Sequence, residues 1–517
     1  MANKSLFQSV VGALLPKPDT TNAAGGAAFA LSPKHALAQY AATGCLNGTF
    51  YAEAKDQLDT VLTLANAVPV DFLAKVAIHA RSGHMKDLPA FLLAVLAVRD
   101  VQLLKKVFAR VCDSPKMVRT FVQILRSGVT GRKSLGTAPK KLVRAWMERL
   151  DDERLLGATV GNDPSFADLV KMVHPKPQDA TRRAFYAWLI GREHDAAALP
   201  APVQAFEAWK QDRTRPVPDV PFQLLTSAPL ETATWAAIAR QSPWQATRMN
   251  LNTFVRHGVF AVDGMAEIVA ARLRDPAAIA KARVFPYQLL VAFMQADAGV
   301  PAQIREALQD AMEIAIANVP AVESRCVVCP DVSGSMHSPI TGRRGTATTT
   351  VRCIDVAALM AAAVVRRNPR AEVIPFSDKI ADIRLNPRDT VLTNAQRLAG
   401  LPSGGTDCSA PVAELNRRKA KAELIILVSD NESWIDRNPH ERGTALLREW
   451  QAFRARNPGA KLVCLDLQPN GAVQAPDRPD ILNIGGFSDE VFTAITAFAK
   501  GSLASDHWIG VVEQAML

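Results

Sequence analysis

Two hydrophobic rhythms divide the chain. Through residues 33–318, apolar residues recur three and four positions apart, in segments of roughly 10–18 residues broken by Pro, Gly or Asp. That is the period of helices with one buried face. It predicts helices over 55–67, 70–81, 89–98, 101–111, 117–125, 140–150, 180–189, 231–240, 265–273 and 302–317. Alternation of period two is almost absent, and no fixed-length repeat is visible. Many short helices joined by short turns nevertheless suggest antiparallel pairs, as in helical solenoids. After residue 320 the pattern changes to apolar runs alternating with helical segments. Strands are predicted near 324–330, 372–376, 380–385, 424–429, 461–466 and 480–484. Helices are predicted near 351–367, 391–399, 409–418, 442–455, 488–499 and 507–516. That order reads as a doubly wound, mainly parallel sheet. The expected organisation is an irregular segment 1–24, an all-α module 25–320 and an α/β domain 321–517.

Composition changes this picture little. With 517 residues, 48% hydrophobic and 21% charged, the chain is an ordinary globular protein of two or three domains. Its longest apolar runs, 88–98 and 356–365, fall short of a membrane span. The short apolar patch at 10–15 lacks the features of a secretory signal. Seven scattered cysteines do not form a disulfide framework. Cys326 and Cys329 make a C-x-x-C, but no second Cys or His pair stands nearby, and residues three apart on a strand face opposite ways. They read as buried strand residues, and the expected compartment is the cytosol.

Charge separates the halves. Residues 321–517 hold 23 Lys and Arg against 22 Asp and Glu, which leaves 37 against 28 for residues 1–320. A basic excess confined to the helical part suggests a polyanionic partner there. It is concentrated between Asp113 and Glu148, where no acid occurs but Lys116, Arg119, Arg126, Arg132, Lys133, Lys140, Lys141 and Arg144 do. The loop Arg126 to Thr137 mixes amides, hydroxyls and cations and suits phosphate contacts. It has GRKS without the spacing of a phosphate-binding P-loop, so nucleotide hydrolysis is a poor reading. The alternative is a solvated basic face. Further on, His174 and Lys176 stand in a His-Pro-Lys-Pro turn that ends a helix, where a His commonly caps or packs. Lys281 to Tyr287 is a second basic-aromatic turn, suited to base stacking or to anchoring a loop.

The sharpest chemistry lies in Asp331-Val332-Ser333-Gly334-Ser335, directly after an apolar strand. In an open α/β sheet, ligands bind beyond the carboxyl ends of the strands. One carboxylate and two hydroxyls there suit a hard cation such as Mg²⁺. Thr406 on a Gly-rich turn and Asp430 at the end of the 424–429 strand complete a D-x-S-x-S, T, D set. The plainer alternative makes Asp331 and Ser333 turn and cap residues, but it needs three strand-loop units to coincide. The set Asp331, Ser333, Ser335, Thr406 and Asp430 resembles the metal-ion-dependent adhesion site of a von Willebrand factor A domain.

A long helical module followed by such a domain resembles the Ro autoantigen family, the TROVE-domain RNA-binding proteins with bacterial orthologues. The likeness is carried by Gly25-Gly26, Leu46 to Tyr51, Gly131-Arg132-Lys133 through Trp146, Asp168 to Pro177, Lys281 to Pro286, Asp331 to Met336 and Gly404 to Cys408. It implies a ring of HEAT-like helical repeats closed by the A domain, monomeric and without membrane contact. It implies binding of small noncoding Y-type RNAs on the outer surface and of misfolded RNAs whose single-stranded 3′ ends enter the hole. It also implies work beside an exoribonuclease, polynucleotide phosphorylase, as a cytoplasmic RNA chaperone or scaffold and not an enzyme. His174 matches a family RNA-binding histidine. The stretch Leu156 to Asp163 lacks the basic residues that animal members carry before it. The expected RNA contacts are Arg126, Arg132, Lys133, Lys140, Lys141, Arg144, His174 and Lys176.

Two other classes compete. Asp331 as a phosphatase nucleophile would ordinarily need an acid two residues on, where Ser333 stands. A protein-binding adhesion or chelatase-type A domain would explain Asp331 to Ser335 but not the basic helical half.

Overall fold

The computed structural model describes residues 15–43, 46–226, 229–282, 284, 286–321, 324–346, 348–435, 442–487, 489–503 and 507–517. Arg283 and Phe285, from the second basic-aromatic turn, lie outside the described residues, as do residues 1–14. The chain folds into two compact units. Of the described residues, those in 15–68, 274–295 and 308–516 form one, and those in 69–273 and 296–307 form the other. The change of rhythm at 320 is therefore not where packing divides, because residues 20–67 pack with the sheet.

The sheet unit is built on five parallel strands. They are β3 (Cys326–Pro330), β4 (Glu372–Val373), β5 (Leu424–Ser429), β6 (Lys461–Asp466) and β8 (Ile481–Gly485), in the order β4-β3-β5-β6-β8. Every residue of β3, β5 and β8 is buried, as expected for strands covered on both faces. The helix Cys353–Arg367 is buried all round from Cys353 to Val365 and packs between β3 and the helix Val391–Ala399. A helix without a polar face has to be enclosed in this way. From β3 the chain crosses to β4 on one side, then returns to β5 on the other. The switch point of the sheet thus lies between the carboxyl ends of β3 and β5.

The strand predicted at 380–385 does not form. Phe376 bridges Ile380, and the Ala381 amide donates to Pro375 O at 2.9 Å, after which the segment leaves the edge. Pro375 has no N–H to continue the ladder. The irregular segment expected up to residue 24 contains β1 (Thr20–Thr21), which pairs with β2 (Ala27–Ala30). β2 in turn pairs antiparallel with β7 (Ala472–Val473). The helix Pro33–Thr43 lies against the end of β8, where a side chain at Gly486 would run into the Ala42 carbonyl.

The helical unit follows the predicted period. The helices Val101–Val111, Ala180–Leu189 and Met265–Leu273 have the expected bounds. Pro115–Ser127 buries Met117, Val118, Phe121, Val122 and Leu125, an i, i+3, i+4 stripe. Asp100, Ser114, Asp151 and Asp179 cap their helices through the side chain, and Ser165 with Asp168 closes a capping box. Among the described residues, no single helix is long and apolar enough to cross a membrane.

Candidate metal centre and basic face

β3 delivers Asp331 to the switch point, where its amide donates to Val428 O at 2.9 Å and the next amide, Val332, to Phe376 O at 2.8 Å. Flanking strands therefore hold the turn on both sides. The Ser333 amide donates to Asp331 Oδ1 at 2.7 Å, and Ser429 Oγ donates to Oδ2 at 2.5 Å. Ser333 Oγ and Ser335 Oγ are 3.3 Å apart. The Gly334 amide donates to Gly404 O at 3.0 Å, drawing in the loop that carries Thr406. Asp430 leaves the end of β5. The five predicted residues are all buried, with Asp331 and Ser333 fully so.

The electrostatics are unbalanced. Burial, then the Asp430 charge, raises Asp331 to about 7. Burial raises Asp430 as well. Glu432, missed in the sequence, is raised to about 7 by burial and then by Asp430. Behind them Asp466 is pushed well above the usual carboxylate range by burial, then by Glu432. Asp430 Oδ2 is buried, and among the described residues none donates a hydrogen bond to it. An unsatisfied buried carboxylate oxygen costs about 1–3 kcal/mol or more, and a small divalent cation would satisfy it and the neighbouring charge together. Among the described residues, no group of three or more His, Cys, Asp or Glu is arranged to hold a metal, so a cation here has to use hydroxyl oxygens, as D-x-S-x-S supplies. The residues fit such an ion.

Sequence reasoning also missed Ser429, which anchors Asp331, and Tyr51. The Tyr51 phenol is pushed well up by burial, then by the Asp430 charge. Ser429 lay in the strand that identified Asp430; nothing local marked Tyr51. Cys326 and Cys329 are free, buried β3 thiols. Burial raises Cys326 to about 12 and Cys329 well above its usual range.

In the helical unit, the basic residues divide into two groups. The Arg144 guanidinium donates to Val173 O at the end of the helix Phe166–Val173. Arg132 donates to Ala97 O at 3.2 Å, near the end of Asp87–Arg99. Arg119 donates to Val160 O, and burial lowers its pKa. These three brace helix ends. Arg119 also puts a cation beside the stretch 156–163, which has none of its own. By contrast Arg126, Lys133, Lys141, His174 and Lys176 are exposed, and Lys140 is half-buried. Arg126 packs on the Met172 sulfur at 3.0 Å, and His174 is the left-handed C-cap of the same helix, with φ 51°. Arg126, Arg144 and His174 are thus brought to one helix end. The Arg132 side chain is committed to bracing rather than free in the loop.

Known proteins bear on both features. Residues 325–499 match the family model described as the Ro60 vWA domain. An RNA-binding protein RO60 of Deinococcus radiodurans is 24% identical over 529 residues, covering 95% of this chain and 97% of that protein. An RNA-binding protein RO60 of Caenorhabditis elegans is 24% identical over 247 residues, covering 46% of this chain and 37% of that one. The crystal structure of the Deinococcus radiodurans Ro protein has the same fold, with a TM-score of 0.64 at 21% identity over 91% of this chain and 100% of that chain. The likeness in fold spans the helical region and the parallel sheet alike, and over residues 325–499 the chain is similar to the Ro60 vWA domain.

Proposed function

We propose that this chain is an RNA chaperone or scaffold that takes small noncoding, Y-type RNAs and misfolded RNAs with a single-stranded 3′ end. The observation that carries this is the exposed basic set around the end of the helix Phe166–Val173: Arg126, Lys133, Lys141, His174 and Lys176. Cations in this arrangement fix a phosphate backbone, while an exposed imidazole can donate to phosphate or a base edge. Relatives named as RNA-binding proteins support it. The reading is of a binding protein, not an enzyme, acting in the cytoplasm and handing RNA to an exoribonuclease such as polynucleotide phosphorylase.

A divalent cation, Mg²⁺ by its preference for hard oxygen, belongs to the same proposal. Asp331, Ser333, Ser335 and Thr406 would hold it, with Asp430 bound directly or through water. When bound it offers a Lewis-acidic position to a partner's oxygen. The adhesion-type reading rests on that position alone and leaves the basic set unexplained.

The experiment is a fluorescence titration of structured RNA at several salt concentrations. Affinity should fall steeply with salt as counterions are released. Changing Lys133, Lys140, Lys141 and Lys176 to Ala should weaken binding and reduce the salt slope by a few units, about one per phosphate contact. Wild-type affinity and slope in that variant would make the basic set only a solvated face.

A further inference from the structure

One cleft of the helical unit is walled by aromatic rings. The helix Thr232–Gln241 carries Trp235 on its buried side. The helix Leu251–Arg256 ends on His257, whose amide donates to Thr253 O at 3.1 Å. Gly258 follows in the left-handed region, φ 69°, and packs on Thr232: an added Cβ would stand 3.5 Å from that side chain. The end of one helix is thereby set against the start of the other, and two rings are laid together. Trp235 and His257 stack with centroids 4.1 Å apart and planes 10° from parallel. Phe222, from the short helix Phe222–Leu225, stands 6.0 Å from Trp235 at 59°.

These three rings, with Thr226, Leu230 and Thr253, line a cavity of about 540 Å³, a size usual for small-ligand sites. Phe222 and His257 are half-buried, so each keeps part of its surface open. Trp235 is 4% exposed, and its Nε1 has no acceptor among the described residues. The indoles of Trp188 and Trp244, by contrast, donate to Glu207 Oε1 at 2.9 Å and Leu273 O at 3.2 Å. The Trp235 ring is therefore held by packing, without a hydrogen bond among the described residues to fix it. Arg256 is exposed, and its guanidinium donates to Thr253 Oγ1 at 3.1 Å, which brings a cation to a residue of the cavity wall.

We propose that this cleft takes one unpaired base of an RNA strand, stacked on Phe222 and His257, with a neighbouring phosphate on Arg256. The inference rests on the RNA-binding reading above and adds a site separate in sequence from the basic set at 126–176. Aromatic side chains take any base by its π-face, so such a site tolerates sequence. A base within a duplex is already stacked and does not enter, which makes the site one for single strands. A base carbonyl or ring nitrogen also offers the indole N–H an acceptor. An apolar peptide side chain would use the rings but leave Arg256 and the indole N–H unanswered.

The test uses the full chain, in the wild type and in the Phe222→Leu, His257→Leu and Arg256→Gln variants. The probe is a short single-stranded oligouridylate carrying one 2-aminopurine, whose fluorescence is quenched by stacking; the same strand with an abasic position is the control. Anisotropy reads affinity, and melting temperature checks the fold. The wild type should bind the probe and quench it. Each ring variant should lose most of the quenching and bind about tenfold more weakly, the scale of one base-aromatic stack, while affinity for the abasic strand stays within about threefold. Arg256→Gln should weaken binding and lower the salt slope by about one. Wild-type quenching and affinity in both ring variants overturns the inference, as does an equal loss for the abasic strand. In either case structured RNA bound by the wild type leaves the RNA-binding reading standing. No binding of single-stranded or structured RNA overturns both.

Discussion

At the scale of single residues, the structure sets acids and a histidine in environments that oppose their charge. Asp331→Asn keeps the shape of the turn but removes the anion that most directly answers a hard cation. Calorimetric titration with Mg²⁺ or Mn²⁺ should show binding lost in that variant, with melting little lowered or raised, since one of several crowded buried acids is gone. Unchanged metal affinity would refute the assignment. His79 gives a separate test in the helical unit. Burial lowers its folded pKa to about 4 from 6.5. The unfolded imidazole takes up a proton near 6.5, and the folded one only near 4, so stability is full above about 6.5 and is lost as pH falls through that window. Denaturant midpoints at pH 7 and pH 5 should differ, by roughly 1–2 kcal/mol after allowance for partial exposure, and His79→Gln should narrow the gap. An equal gap in the variant would assign the acid sensitivity elsewhere.

At the scale of elements, the helix ends explain where the basic excess goes. Arg144 donates to Val173 O, Arg182 to Met147 O at 2.9 Å, and Arg272 to the carbonyls of Ala239 and Arg240 at 2.6 Å. In each case a guanidinium from one helix satisfies carbonyls at the end of another, where the helix dipole favours a cation. Arg144→Met should therefore lower the denaturation midpoint by about 1–2 kcal/mol, whereas Lys141→Met should leave it within about 0.5 kcal/mol. RNA affinity should respond in both. An unchanged midpoint in Arg144→Met would leave the brace without weight. The same distinction marks what was legible in the sequence. Local period and caps located 101–111, 180–189, 265–273, 424–429 and 461–466 to the residue, because those elements bury a stripe or a whole strand. The strand expected at 380–385 satisfied the local pattern, but at Pro375 the ladder it needed loses a donor. That an arginine braces a neighbouring helix, as Arg132 does, is a tertiary fact with no local signature; composition alone counted it as free charge. The candidate metal set was legible because Asp331 and Asp430 each follow an apolar strand and Thr406 stands in a Gly-rich turn. Glu432 was not, because only the fold brings it there.

At the scale of the molecule, the sheet unit is assembled from the first and last parts of the sequence. β2 joins β7 through Phe29↔Val473 and Ala30↔Ala472. In the helix Pro33–Thr43, Ala36, Leu37, Ala38 and Ala41 are buried, and their cover includes the helix His507–Glu513 and β8. Polar locks reinforce this packing: His35 Nδ1 meets Asp477 Oδ2 at 2.8 Å, Gln39 Nε2 donates to Asp466 Oδ2 at 3.1 Å, and Lys34 meets Glu513 at 2.6 Å. Pairing across more than 400 residues leaves no period in the sequence, which is why a boundary at 320 looked natural. Without residues 1–68, Asp466 and Asp477 would lose partners inside a crowded acidic region, and the apolar surface under the helix would meet water. Phe29, Leu37 and Val61 are buried too, and large apolar side chains at about 1.5–3 kcal/mol each are a substantial part of the typical net stability of a domain, about 5–15 kcal/mol. Residues 321–517 expressed alone should therefore melt non-cooperatively or aggregate. They should bind Mn²⁺ poorly because the loops carrying Asp430 and Ser335 lose their anchors, Asn22 Nδ2 on Ser433 O at 2.6 Å and Asn47 Nδ2 on Thr341 O at 2.8 Å. Co-expression with residues 1–68 should recover a complex that co-purifies, melts cooperatively and binds the ion. Calorimetry and metal titration on both preparations decide the matter. A cooperative transition in 321–517 alone, at the temperature of the sheet unit in the full chain, would show that the early residues decorate the A domain and do not complete it.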